Sequence, residues 1–374
     1  MKVATGYSNA DSVAYVMEEA CRDLPDFPQL IIFFSDSGKF AELSREIHVR
    51  YPETTVIGAS TFGSFSKHGF CRSGLNIAAL SDGIRVSAGL MREITRNTGN
   101  LYRDEILGAL DKIGLDDCSE ENTCCFVLNP AGTSCEEIVL DTLMKTLRNL
   151  NIPVVGGSSS SEVCLYGEVS LNGSVFLNSS IYTMIHLDKG VINIALENIF
   201  RPMGREYLVT KADPEKRILY ELDGEPAYDI LCRDLNVSGE GLNAALAKHP
   251  FGRIPKGNLF INEIEKINDD RSISTYCRIL DQSRLVLLEP CELTPTMDKT
   301  WTEIHEKMSS IDFSIVINCY SRTQMYLNNG WMEEFTGRMN REMGPYEGFT
   351  THGELLGDFL LNLSLLVISF GEVR

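Results

Sequence analysis

The sequence predicts an α/β and α+β fold, with a duplicated α/β amino-terminal half followed by an α+β carboxyl-terminal domain. Three observations carry that expectation. The stretch TVIGASTFGS (55–64) returns downstream as PVVGGSSSSE (153–162), each copy closing a unit of buried strand, helix and second strand. Helical periodicity of 3–4 residues lies between the two strands of each unit, and beyond about residue 205 short strands with polar turns replace that alternation. The division expected is therefore 1–205 and 206–374.

Each element follows from its local pattern. LIIFFSDSG (30–38) and CCFVLNPAG (124–132) are apolar runs of the kind that form strands covered on both faces. Phe40, Leu43, Ile47 and Tyr51 share one helical face, as do Leu140, Leu143, Met144, Leu147 and Leu150 in the second copy. Ser134 with Glu137 has the form of a capping box opening the second helix. After each Gly-x-Ser turn, 75–90 and 181–196 read as antiparallel hairpins with Gly punctuation. Further on, 207–231 reads as strand, Pro turn, strand, Asp-Gly turn and a helix opening at Pro226, and 248–258 as a loop. Short strands follow over 259–290, then a capping box at Thr300–Glu303 opening a helix through Met308. A buried strand at 313–322, a helix at 331–344 stopped by Gly344-Pro345, and a polar turn with strand-like sequence over 348–370 complete the chain.

Composition narrows function. The chain has 374 residues and a formal charge of -18, and it carries no Lys/Arg run, which argues against nucleic acid or an anionic membrane as partner. Its eleven cysteines are scattered without CxxC, as expected for free thiols in a reducing cytoplasm. The apolar stretch LLNLSLLVISF is interrupted by Asn362 and too short to span a bilayer. No HExxH, HxxxH or Cys/His cluster has metal spacing, and no nucleophile–base–orienter set can be assembled, so no enzyme and no metal are expected. The Gly-Ser stretches lack the Gly-Lys-Ser/Thr of a phosphate loop and the Gly-x-Ser-x-Gly of a nucleophile elbow. Gly58, Ser60, Thr61, Gly156, Gly157, Ser158 and Ser159 are open to two readings: structural turns at sheet ends, or a ligand-facing row of hydroxyls and amides.

VIGAST (56–61), VVGGSSSSE (154–162), VTKADPEKRILYELDGEPAYDIL (209–231), HPFG (249–252), FSIVINCYSR (313–322) and GFTTHGE (348–354), in that order, resemble the FIST family, an amino-terminal and a carboxyl-terminal FIST domain found in bacterial signal-transduction proteins. The resemblance spans nearly the whole chain. It implies a cytoplasmic sensor of a small ligand, an amino acid or similar metabolite, held between the two halves. The state would be relayed to a histidine kinase, chemoreceptor or cyclic-dinucleotide output module, as partner or fused, with a homodimer allowed. For a zwitterion, Arg322 would meet the carboxylate and Glu354 the ammonium, with Asn318, Cys319 and His352 nearby and no cofactor. The family's haem-binding branch, which answers to nitric oxide, supplies the alternative, with His186, His249 or His352 as axial ligand. At His352 and after HPFG the chain departs from the family's usual aromatic and Arg-rich pattern.

Overall fold

A computed structural model describes residues 1–92, 94, 101–162 and 166–374. It is a mixed α/β protein, and its chain divides into two compact units: Met1–Leu196 with Thr300–Phe359 and Leu365–Arg374, and Glu197–Lys299 with Leu360–Ser364. The expected division at 205/206 follows chain order. Packing instead groups most of the last 75 residues with the amino-terminal half.

In the first unit, β1 (Lys2–Ser8) and α1 (Val13–Ala20) precede β2 (Leu30–Ser35), α2 (Phe40–Arg50), β3 (Thr55–Ser60), β4 (Ser64–Ser66), β5 (Gly69–Cys71) and β6 (Leu75–Ser81). After β7 (Ile84–Met91) and α3 (Arg103–Ile113) the order returns as β8 (Thr123–Asn129), α4 (Glu136–Leu147), β9 (Val154–Ser158), β10 (Val169–Leu171), β11 (Ser174–Phe176) and β12 (Ser180–Leu187), then β13 (Val191–Asn198). The second unit holds β14 (Phe200–Asp213), β15 (Ile218–Leu222), β16 (Glu225–Pro226), α5 (Ala227–Asp234), α6 (Gly239–Leu246), β17 (Phe251–Arg253), β18 (Phe260–Asn262), β19 (Ile264–Ile267), β20 (Ile273–Thr275) and β21 (Arg284–Pro290). Its strands run β18-β17-β21-β14-β15-β20-β19, and its core packs Tyr207, Leu219, Leu285 and Leu287 against Ile230, Leu231, Leu242 and Leu246 of α5 and α6. The helix α7 (Leu293–Lys307) leads back to β22 (Met308–Cys319), α8 (Tyr320–Asn329), α9 (Met332–Glu342), β23 (Tyr346–Thr351), β24 (Glu354–Leu356), β25 (Phe359–Leu361) and β26 (Ser364–Val373).

That last run is a third copy of the repeat. β2 pairs parallel with β3, β8 with β9 and β22 with β23, each across a helical connection that holds two helices, α8 and α9, in the third case. The sheets run β1-β6-β2-β3-β10-β11, β7-β12-β8-β9-β24-β25 and β13-β26-β22-β23-β4-β5. Each short hairpin thus completes the sheet of the repeat before it in a cyclic order. The register defines counterparts: Gly58 lies opposite Ser170, Gly156 opposite Leu355 and Gly348 opposite Phe65.

Several expectations give way to this exchange. Residues 75–90 and 181–196 do not form hairpins. β6 already pairs with β1 and β2, and β12 with β7 and β8, so the strand after each turn has no free edge there and joins the next sheet. Ser134 sits at φ 52°, so no capping box forms, and α4 opens at Cys135 without a side-chain cap. α7 begins at Leu293, which places Thr300 inside it rather than at its start. The loop at 248–258 contains the short β17.

The inward faces of the three sheets share one core, in which Phe34 of β2 stacks on Phe349 of β23 at 4.5 Å. The other face of the first sheet packs Ile31, Phe33 and Val56 against α1 and α2. Burying each such side chain contributes about 1.5–3 kcal/mol, which explains why β2 and β8 read as unbroken apolar runs. None of the ten described cysteines is in a disulfide, Cys164 lies outside the described residues, and among the described residues no helix is long and apolar enough to cross a membrane.

Candidate functional site

The carboxyl ends of β3, β9 and β23 meet inside the first unit. Ser60 N–H donates to Glu168 O at 2.9 Å, Ser158 N–H to Gly353 O at 3.0 Å and Thr350 N–H to Gly63 O at 2.8 Å, the same bond in three repeats. Thr61 Oγ1 donates to Gly63 O (2.7 Å), and its counterpart Thr351 Oγ1 contacts Gly353 O (2.9 Å) and Ser158 O (2.6 Å). Where the pattern would ask Phe62 N–H to reach Thr350 O, the Ser160 hydroxyl stands between, accepting from Phe62 and donating to Thr350. Ser60, Thr61, Ser158, Ser159, Asn318 and Thr350 are buried, so this hydroxyl knot is internal. The glycines beside it have steric reasons of their own. A Cβ on Gly156 would lie 2.0 Å from Val127 O, and one on Gly157 would lie 2.7 Å from Thr351 Oγ1 and 2.9 Å from Ile317.

An open cleft lies one layer out, at the carboxyl end of the parallel pair β8–β9, where α/β folds place ligands. Its volume is about 580 Å³, and it is lined by Arg92, Ile94, Ala131, Gly132, Thr133, Cys135, Tyr166, Leu177 and Asn178. Three features build it. The loop after β8 carries Ala131, Gly132 and Thr133 to the amino terminus of α4, where the first helical amides and the dipole favour negative charge. Arg92 extends from the end of β7 and is exposed. Tyr166, Leu177 and Ile94 give the wall apolar surface. Ser159 links cleft and knot: its N–H donates to Asn129 O (2.7 Å), and its Oγ accepts from Ala131 N–H (3.1 Å). Glu136 and Glu137 in the first turn of α4 add negative charge beside the helix start.

The expected site residues fall into two groups. Gly58, Ser60, Thr61, Gly156, Gly157, Ser158 and Ser159 belong to the knot or the strands beneath it. Asn318, Cys319 and Arg322 stand where β22 passes into α8. Asn318 Nδ2 donates to Thr323 Oγ1 at 2.8 Å, Thr323 Oγ1 donates to Cys319 O at 2.9 Å, and the wholly buried Arg322 lies over the Tyr326 ring at 5.3 Å. Glu354, also wholly buried, pairs across from Gly157, and His352 packs on Tyr320 at 4.8 Å. None of these lines the cleft. Arg92, Thr133, Tyr166 and Asn178 escaped the reading of the sequence. The available signal was the loop NPAGT, which follows one strand and precedes a helix.

The three histidines considered for haem do not fit an axial role at the cleft, whose described lining holds no histidine. Both ring nitrogens of His186 are engaged, Nδ1 with Thr123 Oγ1 (2.9 Å) and Nε2 with Arg85 (2.6 Å), while burial and the Arg85 charge hold it neutral, below the usual histidine range. His249 in the second unit places Nδ1 against Leu288 O at 2.9 Å. Burial alone lowers His352 to about 4.

The FIST N domain model matches residues 29–225 and the FIST C domain model residues 227–356. Among curated proteins none matches the chain. FIST domains are sensory domains of signal-transduction proteins, and with both models matched in order over most of its length, the chain belongs to the FIST family.

Proposed function

We propose that this protein senses a small zwitterionic metabolite of the amino-acid class, bound in the cleft at the carboxyl end of β8 and β9, and relays its bound state to a signalling partner. The carrying observation is the cleft of about 580 Å³, with a guanidinium and a helix amino terminus on its wall. The Arg92 fork suits a carboxylate's two oxygens, the Gly132 and Thr133 amides offer further donors, and Glu136–Glu137 favour an ammonium. Tyr166, Leu177 and Ile94 would receive an apolar side chain. Relay requires different affinity for two states of the protein, because a ligand bound equally to both shifts neither. A histidine kinase, chemoreceptor or cyclic-dinucleotide output module remains the partner class for that relay.

The test is calorimetric titration of the full chain with the common amino acids. Saturable binding by some of them, lost in Arg92→Ala and in Thr133→Pro with the fold intact by circular dichroism, is the expected result. Binding unchanged in both variants would remove the ligand from this cleft.

A further inference from the structure

The cyclic repeat makes one region stand out. On the inward faces, where β3, β10 and β11 of the first sheet face β12 and β7 of the second, Ile57, Val169, Leu171, Phe176, Ile181 and Leu90 pack as ordinary core. The same six register positions between the third sheet and the first hold Glu347, Ser64, Ser66, Cys71, Asn76 and Tyr7. Between the second sheet and the third, two of these positions are apolar, Val155 for Glu347 and Leu356 for Ser66, while Glu354 stands at that of Ser64.

The polar set is built together. Asn76 Nδ2 donates to Ser64 Oγ, and Ser64 Oγ donates to Cys71 O (3.4 Å). Glu347 is 1% exposed and Asn76 0%. Yet Glu347 Oε2 and Asn76 Oδ1 have no hydrogen-bond partner, each other included. Two buried acceptors without donors are costly, typically about 1–3 kcal/mol each, and so point to a donor or a cation. Five of the six side chains are smaller in volume than their counterparts, Tyr7 being the exception.

We propose that Glu347, Asn76, Ser64 and Ser66 form an internal binding site for a monovalent alkali cation between the first and third sheets. Hard oxygens of a carboxylate, an amide and two hydroxyls suit an alkali or alkaline-earth ion, and a single carboxylate matches a single positive charge. Burial pushes the Glu347 carboxyl well above the usual carboxylate range, and a bound cation reverses that by favouring the charged form. The ion would lock the seam where the first repeat's hairpin closes onto the third sheet.

The test is thermal unfolding of the full chain in choline, sodium, potassium and calcium chloride at equal ionic strength. Sodium or potassium, whichever is bound, should stabilise the protein saturably over choline. A concentration of 100 times its Kd raises the folding equilibrium constant about a hundredfold. Glu347→Gln and Asn76→Leu should lose that increment, and Glu347→Ile, matching position 57, should fold without it. Equal unfolding in choline, sodium and potassium would overturn the proposal, leaving the cluster to buried water. So would a response to calcium alone, or a sodium or potassium increment that survives in both Glu347→Gln and Asn76→Leu.

Discussion

The first and second repeats end in the same scaffold and differ in what closes it. After β2, Asp36 accepts from Gly38 N–H and Gly74 N–H (both 3.1 Å), and Lys39 Nζ donates to Ala10 O (2.8 Å). The connecting loop, the residues before β6 and those after β1 are thereby tied together. After β8, Pro130 stands in the place of Asp36 and cannot make those ties, and the loop is longer. The matching segments, carrying Thr133, Leu177–Asn178 and Arg92, surround the cleft instead. One carboxylate bridges two amides at the first strand end, and at the second, where proline replaces it, a cleft lies open.

Substitutions can break that pairing. The largest effect is expected at the shared glycine. Gly156→Ala drives a Cβ to 2.0 Å from a backbone oxygen, whereas Gly58→Ala meets the Phe33 ring, which can shift. Urea unfolding should show a loss of about 3 kcal/mol at Gly156 and a smaller loss at Gly58; equal losses would mean that the two strand pairs pack alike.

A comparable effect is expected from acid. His352, the counterpart of Phe62, titrates near 4 when folded against 6.5 unfolded, because burial disfavours its charged form. The unfolded state therefore binds the extra proton first. Stability present above pH 6.5 should fall by roughly 3 kcal/mol as pH drops towards 4. His352→Phe should flatten that limb in pH-dependent denaturation, and an unchanged slope would refute the assignment.

Next comes the cleft itself. Arg92→Ala should weaken amino-acid binding at least tenfold, while Lys39→Ala, in the first repeat, should leave the affinity unchanged. The smallest effect is structural: Asp36→Ala should lower stability by about 1–2 kcal/mol without altering binding, through loss of two amide acceptors. A change in affinity on Asp36→Ala would show that the two ends are coupled.

How much of this was legible depends on which residues carried the signal. β2, β8 and β22 announce themselves because strands covered on both faces need unbroken apolar runs, and α2 and α4 because one face must meet the sheet. The third repeat did not show. GFTTHGE shares with GASTFG and GGSSSS only the leading glycine and a hydroxyl pair, and unit-two sequence separates it from its relatives. The steric demand is nonetheless common: a Cβ on Gly348 would lie 2.5 Å from Val316 O, as one on Gly156 would meet Val127 O. Strand exchange was invisible because an Asp82-Gly83 turn looks alike whether the next strand folds back or moves to another sheet. The Gly-Ser rows were legible as turns at strand ends, but none of their named residues lines the cleft. The cleft was missed because Arg92, Thr133 and Tyr166 come from separate segments without a shared spacing.

The borrowed hairpins also set an order on synthesis. Once made, the β4–β5 hairpin must wait for β23, nearly three hundred residues later, before its outer edge is paired, and β9 must wait for β24. A nascent chain stopped at residue 205 therefore carries unfilled edges on β4, β9 and β13, the kind of surface that pairs with neighbouring chains. The ring closes only from its last segment, so the ribosome must finish almost the whole chain before the first hairpin has its partner.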